Sequence, residues 1–571
     1  MVIKNGVLIG QILVEEGLVS HQQLESALKE QQRTEDYICT ILVAQGFATE
    51  KEVFTVLSRQ INVPYISLKD RNIEPHIIHK LPAKLANYYK AVPVELDKDT
   101  LIVSMVDPRD IRVLDDMKLL LGLEVKGALS SRPEIEEAIR KYYGVGADTI
   151  EKMISGKSAT QNVLTQTERI DGAEGLDDDA TIIRFVNEIL SEAIKDRATD
   201  IHLEPYQNEL CTRFRIDGVL YPIHTPDTVK YFQSAIVSRI KIMAHLNIAE
   251  RRLPQDGRIK IKIENREIDL RVSTIPTGFG ESVHIRVLSA KSFLELKTLG
   301  LLEEDLNTIE QVIHKPHGVI FVTGPTGSGK STTLYASLAH INSSAVKIIT
   351  IEDPVEYQLK NVNQIQVNHK IGLDFSTALR HMLRHDPDIM MVGEVRDSET
   401  AEIAIRAALT GHLVFSTLHT NDAAGAVTRL LDMGIEPFLV SSSLECLIAQ
   451  RLVRLVCPKC KVRVEPKKEI LDEIKRDAAI LPKDATYYEG KGCEDCRFTG
   501  YWGRTAIYEI IKMTEPIREL ILKRSSSQMI KQKAIAQGMR TLRQDGLRKV
   551  AMGLTTFVEV MRVAQQEDVG E

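Results

Sequence analysis

Residues 324–331 read Gly-Pro-Thr-Gly-Ser-Gly-Lys-Ser, the G-x-x-x-x-G-K-[ST] pattern, between the apolar run GVIFVT and a helical segment. Glycines at this spacing let backbone N–H groups close on phosphate oxygens at a helix N-terminus, where the helix dipole also favours an anion. The expected chemistry is nucleotide binding. Gly324, Pro325, Thr326, Gly327, Ser328, Gly329, Lys330, Ser331 and Thr332 form the cradle, with Lys330 on the β- and γ-phosphates and Ser331 on Mg2+.

Two groups of carboxylates follow. ITIEDPVEY sets Glu352, Asp353 and Glu356 just past an apolar strand, and DIMMVGEVRD sets Glu394 past another. Strand C-termini of a parallel sheet gather around one crevice, the same one a phosphate loop occupies. A carboxylate there can hold the Mg2+ shell or polarise an attacking water. One such residue alone would read as a solvated loop position; two in register after a phosphate-loop strand read as chemistry. GHLVFSTLHTND carries His412 and His419 around a third strand. A lone histidine is usually structural, and His419, at the strand end, is the better placed to sense a γ-phosphate.

Cys457-Pro-Lys-Cys460 and Cys493-Glu-Asp-Cys496 are separated by 32 residues. Each pair presents two thiolates from a tight turn, and four thiolates fill a tetrahedral Zn2+ shell, so the expected metal is structural and performs no catalysis. Cys39, Cys211 and Cys446 stand among apolar neighbours and are expected in cores.

These groups need elements to position them. From Gly318 onward, GVIFVT, KIITIE, DIMMVG and HLVFSTL alternate with helical segments, the signature of a parallel sheet covered on both faces. Before it, a helix at about 181–196 leads into strands at 210–220, 258–263, 266–275 and 282–288. Residues 146–180 are polar, rich in Gly, Ser and Thr and end in an Asp cluster, so they read as a linker with a short helix near 149–154. Further upstream, 61–145 is mixed α/β, with a strand at 100–106 and a terminal helix in RPEIEEAIRKYYG. Residues 8–31 repeat at 37–60 with a constant offset of 29, each copy a short helix, a Gly stop, a Ser20 or Thr49 cap and a second helix.

Composition bounds the function. The chain has 571 residues, 43% apolar and 27% charged, enough for several cores. Lys and Arg total 73 against 79 Asp and Glu, a net charge of −6, which argues against a protein that coats nucleic acid. No apolar run approaches the ~18–20 residues that span a bilayer. Glu15 and Glu16 interrupt the N-terminal stretch before a signal peptide is complete, so export by that route is not expected.

The motifs together resemble the secretion ATPases that assemble type IV pili and type II secretion pseudopili. GPTGSGKST resembles their Walker A, TIEDPVEY their aspartate box, DPDIMMVGEVRD their Walker B and GHLVFSTLHTND their histidine box. ATDIHLEPY, RFRIDG and AERRLPQDGRI resemble the N-terminal half of the motor. The resemblance implies an α/β fold: a RecA-like P-loop ATPase domain at 291–571 with a zinc subdomain at 455–500, and a PAS-like α+β motor domain at 181–290. An N-terminal docking domain with helical and α+β parts (1–145, MshEN-like) stands ahead of the 146–180 linker. It further implies Glu394 as the water-activating carboxylate, with Glu352, Lys330 and His419 in the site. Arg271 and Arg286 match the family's paired arginines that approach the phosphates. A ring hexamer is implied, with a hinge near 289–300. Its work would be pilin or pseudopilin assembly, through an inner-membrane platform protein and cytoplasmic-side assembly proteins. The chain would be cytoplasmic, at the membrane only through its partners.

In some members the N-terminal repeat binds cyclic di-GMP. Here the Arg-Leu-Gly start of the motif reads Leu8-Ile9-Gly10 and Tyr37-Ile38-Cys39, so the repeat is read as a docking module. The tetracysteine insertion favours an assembly motor over a retraction motor. The alternatives are a cyclic di-GMP-regulated ATPase of the same family and a nucleic-acid-translocating P-loop motor. Only 5% aromatic residues offer few stacking platforms for the latter.

Overall fold

The computed structural model describes residues 9–34, 38–69, 71–98, 100–144, 149, 175–263, 266–288, 295–465 and 486–564. The chain divides into two compact units, Met1–Leu288 and Ser289–Glu571. Among the described residues no helix is long and apolar enough to cross a membrane.

The first unit opens on the two repeat copies, helices Ile9–Glu15 and His21–Thr34, then Ile38–Ala44 and Glu50–Ile61. Gly17 and Gly46 follow the first helix of each copy at φ 72° and 71°. Both second helices start on a reciprocal cap: Ser20 exchanges hydrogen bonds with Gln23, and Thr49 with Glu52. Leu13, Ala27, Leu42 and Val53 meet in their common core, so the repeat is also a packing repeat.

A small sheet follows, β1 (Ala91–Asp97), β2 (Thr100–Met105) and β3 (Glu124–Leu129), with helices Ile111–Leu121 and Arg132–Tyr143. The linker expected at 146–180 falls largely outside the described residues. At its end helix Gly175–Lys195 is already formed, about two turns earlier than expected. The apolar period begins only at Ile182, which is why the polar start read as linker.

That helix and Gln233–Met243 pack on a six-stranded antiparallel sheet of order β6-β5-β4-β9-β8-β7. Its strands are β4 (Asp200–Pro205), β5 (Leu210–Ile216), β6 (Val219–Ile223), β7 (Gln255–Ile263), β8 (Arg266–Thr277) and β9 (Gly280–Leu288). One expectation is corrected here. Residues 210–220 are not one strand but a hairpin that turns at Asp217-Gly218, a dipeptide whose positive φ angles suit a two-residue turn.

The second unit is built on β10 (Gly318–Thr323), β11 (Ile348–Glu352), β12 (Val362–Gln366), β13 (Ile389–Val392), β14 (Leu413–Leu418) and β15 (Leu444–Val456). After them come β16 (Lys461–Val464), β17 (Tyr487–Gly490) and β18 (Tyr501–Lys512). The main sheet runs β12-β11-β13-β14-β10-β15-β18, parallel except for the last pair. Every residue of β10, β11, β13 and β14 is buried, as a parallel sheet with helices on both faces requires. Along β10, Val319 and Phe321 join one core while Ile320 and Val322 join the other. Burying both faces makes the sheet rigid, and its strand C-termini inherit that rigidity. The hinge expected at 289–300 lies outside the described residues up to 294.

Beyond the antiparallel pair β15–β18, the chain between them forms the two-stranded β16–β17 ribbon. Gly490 packs so closely on Gly500 that a Cβ would lie 2.0 Å from the Gly500 carbonyl oxygen. Gly503 has open space around it and only a φ of 76° to protect. Gly490→Ala should therefore lower the thermal midpoint clearly more than Gly503→Ala, whose cost is about 1 kcal/mol from backbone strain alone.

Candidate functional site

The phosphate loop starts where β10 ends. Gly324, Gly327 and Gly329 take φ of 148°, 79° and 90°, and helix Lys330–Ile341 begins directly after. A Cβ on Gly324 would sit 2.6 Å from Gln450 O and Ser328 Oγ, and one on Gly329 would sit 2.7 Å from Gln450 Nε2. Gly324 and Gly329 are thus demanded by crowding as well as by φ, and Gly327 by φ alone. No side chain caps the helix at Gly329, which leaves its first-turn N–H groups for an anion. Pro325, Thr326, Gly327 and Ser331 are exposed, and Ser328 is buried. Lys330 Nζ folds back on the loop's own carbonyls, at 2.7 Å from Gly324 O and 3.2 Å from Pro325 O. Burial pulls its pKa down, and the charge of Glu394 opposes that pull.

The carboxylates gather at the same sheet edge. Ile351 pairs with Val392 across β11 and β13, and Gly393 N–H bonds Ile351 O at 2.8 Å, which sets Glu352 and Glu394 on neighbouring strand ends. Thr417 of β14 locks the Glu394 loop from the other side, donating to Gly393 O at 2.8 Å and accepting from Val395 N–H at 3.1 Å. Glu394 lies between two cationic or potentially cationic groups: Arg396, in close contact with Oε1, and His419 Nε2, 3.3 Å from Oε2. Glu352 is buried, with Tyr335, Thr350 and Gln364 all donating to it. Asp353 is more open and has His369 3.7 Å away.

The two histidines separate. His419 follows β14 and reaches Glu394, whereas His412 precedes the strand and bonds Ala407 O at 2.9 Å, at the end of helix Ser398–Leu409. His412 is structural.

Gln450 and Arg451 escaped the sequence reading. Thr323 lies opposite Ala449 across β10 and β15, so the next two residues emerge beside the loop. Gln450 accepts from Thr333 Oγ1 at 2.7 Å, and Arg451 donates to Asn421 O at 2.7 Å and to Gln450 O at 3.1 Å. The pair ties the phosphate helix to β15 and to the segment after His419. Neither carries a local motif.

Arg271 and Arg286 belong to the first unit, directly opposite each other on β8 and β9. Arg286 Nε donates to Asp200 at 2.9 Å, and His284 Nε2 stands 3.0 Å from the same oxygen. Burial would push the Asp200 carboxyl up, but these hydrogen bonds and the Arg286 charge outweigh it and hold the group far below the usual range. Asp200 so anchors Arg286, one of the two arginines.

The four cysteines meet. All four sulfurs lie within 4.8 Å of one another, with Cys457–Cys493 and Cys460–Cys496 at 3.8 Å and Cys493–Cys496 at 3.7 Å. Four thiolates ~2.3 Å from a tetrahedral Zn2+ would be spaced by about 3.8 Å, so the set fits that metal. Cys457 directly follows β15, and its N–H bonds Gly500 O at 2.9 Å, so the site pins the base of the insertion. Of the remaining cysteines, Cys39 and Cys446 are buried, their thiols pushed up to about 11 and about 12 by that burial, while Cys211 is half-buried.

The family profile for type II/IV secretion system proteins matches residues 175–562, and the MshEN domain profile matches 61–149, C-terminal to the repeat. The type IV pilus assembly ATPase PilB of Myxococcus xanthus is 46% identical over 559 residues, 97% of this chain and 98% of its own. Type II secretion system protein E of Xanthomonas campestris pv. campestris is 40% identical over 535 residues, 92% of this chain and 93% of its own. A crystal structure of the pilus retraction motor PilT with bound ADP aligns over 66% of this chain and 96% of its own, at 30% identity and a TM-score of 0.44.

Metal analysis of the purified protein should find about one zinc per chain, lost together with thermal stability in the Cys457→Ser/Cys460→Ser double variant. A stable, metal-free preparation would contradict the assignment.

Proposed function

The chain belongs to the type II/IV secretion system ATPase family, and from that membership we propose how its residues carry out the work. It is an ATPase that powers pilus or secretion assembly. The observation that carries the residue assignment is the meeting of Lys330, Glu394 and His419 at the C-terminal edge of one buried parallel sheet.

The loop at 324–332 cradles the phosphates of ATP with its N–H groups. Lys330 exchanges the carbonyls of Gly324 and Pro325 for phosphate oxygens, which replaces two neutral acceptors by charged ones. Ser331 would hold Mg2+, which when bound would lower the phosphate charge seen by the attacking water. Glu394 orients that water and takes its proton, with Arg396 and His419 fixing the direction of the carboxylate. Glu352 supplies a second, buried negative charge. Arg271 and Arg286 neutralise the charge that builds up on the transferred phosphoryl group, as the family resemblance implies, with Asp200 as the anchor of Arg286.

Around this site the proposal is a homo-hexamer whose 181–290 and 291–571 domains change angle as ATP is consumed. The domain at 1–145 docks on an inner-membrane platform protein and associated assembly proteins, with the chain peripheral to that membrane. Zinc holds the 455–500 insertion. The missing arginines at positions 8 and 37 support docking rather than cyclic di-GMP binding at the repeat.

Lys330→Ala should abolish ATP turnover, and Glu394→Gln should reduce it at least about 100-fold while ATP stays bound through gel filtration. Phosphate release and retained nucleotide are the readouts. Wild-type turnover in either variant would overturn the assignment, and strong stimulation of turnover by DNA or RNA would favour a nucleic-acid motor.

A further inference from the structure

Glu352 is held in a way Glu394 is not. Its partners lie on three elements, and two of them, Tyr335 and Gln364, have their donor roles fixed by second bonds. Tyr335 is buried on the phosphate-loop helix, and its hydroxyl accepts the Glu356 N–H at 3.2 Å. Its single proton is therefore committed to Glu352 Oε2. Burial, then the Glu352 charge, push the phenol well above its usual range, so it remains a donor. On β12, Gln364 Oε1 accepts from Leu359 N–H at 2.7 Å. That settles the amide orientation and turns Nε2 to Glu352 Oε1 and Tyr357 O, both at 3.1 Å. Thr350 Oγ1 gives a third bond, 2.6 Å to Oε1.

A carboxylate offers about four acceptor positions, two on each oxygen. Two donors fill Oε1 and one occupies Oε2, so a single acceptor position is left, on Oε2. We propose that Tyr335 and Gln364 are positioning residues of the hydrolytic site: they keep Glu352 as an oriented anion with one free acceptor position, and so leave proton acceptance to Glu394. Tyr335 stands on the same helix as Lys330 and Ser331. Any shift of that helix when phosphates bind is therefore passed directly to Glu352 and to the Glu356 backbone. Tyr357 meets the Tyr335 ring edge-on at 4.5 Å, which keeps the hydroxyl in register. This assignment rests on the ATPase reading given above.

The test is a double-mutant cycle in the full-length chain with Tyr335→Phe, Glu352→Gln and both together. It is read by kcat, by KM and by Mg2+-dependent binding of a fluorescent ATP analogue. Tyr335→Phe should lower kcat about tenfold, the order expected for one hydrogen bond to a charged group, with analogue affinity within about twofold of wild type. The double variant should be no slower than Glu352→Gln alone, because the hydroxyl acts only through that carboxylate. Gln364→Ala provides a second cycle with the same expected pattern should Tyr335→Phe not fold. Wild-type kcat in the folded single variants, or losses that multiply in the double variants, would overturn the proposal. A wild-type chain without turnover would instead overturn the ATPase reading, and the positioning role with it.

Discussion

Between Thr323 and Lys330 the backbone must pass from a fully buried strand into a helix while leaving the first-turn N–H groups of that helix unspent. That requirement governs the second unit. Unspent donors are costly wherever water is excluded, so the turn has to sit at the sheet edge, where Pro325 to Gly327 are exposed. It must also be tight, and Gln450 approaches it so closely that side chains at 324 and 329 would collide. The sheet provides the fixed base for this turn: β10 is hydrogen-bonded to β14 on one side and β15 on the other. β15 brings Gln450 and Arg451 to the loop, and Leu418 O of β14 accepts the Gly324 N–H.

Electrostatics then divides the labour among similar groups. Lys330 is partly desolvated and satisfied only by carbonyl oxygens, so a phosphate is a better partner than the one it has. Glu394 touches exposed side chains, Arg396 and His419. Glu352 is bound to two buried donors, Tyr335 and Thr350, and to the half-buried Gln364. The same logic runs through the first unit, where Asp200 stays ionised among Arg286, His284 and Arg215.

The parts legible in the sequence were those with local signatures. The phosphate loop, the four central strands, the carboxylates at their ends and the paired cysteines all depend on spacing within a few residues. The caps at Ser20 and Thr49 were legible for the same reason. Gln450 and Arg451 were not, because their partners lie far off in the chain and only the β10–β15 pairing brings them to the loop. Tyr335 and Gln364 were hidden likewise: on a helix and a strand they read as ordinary packing residues. The hairpin at 210–220 carried its Asp-Gly signal inside an otherwise continuous β-rich run. His412 and His419 looked alike in sequence, and only their opposite ends of β14 send one to a helix end and the other to Glu394.

The most direct measurement of the central claim is phosphate release by the purified wild-type chain supplied with Mg-ATP, repeated after the metal is chelated. Continuous release that stops with chelation is the result predicted by a phosphate loop working with Glu394 and a Ser331-held magnesium ion. Absence of release from the assembled protein in saturating Mg-ATP, or release indifferent to chelation, would contradict it.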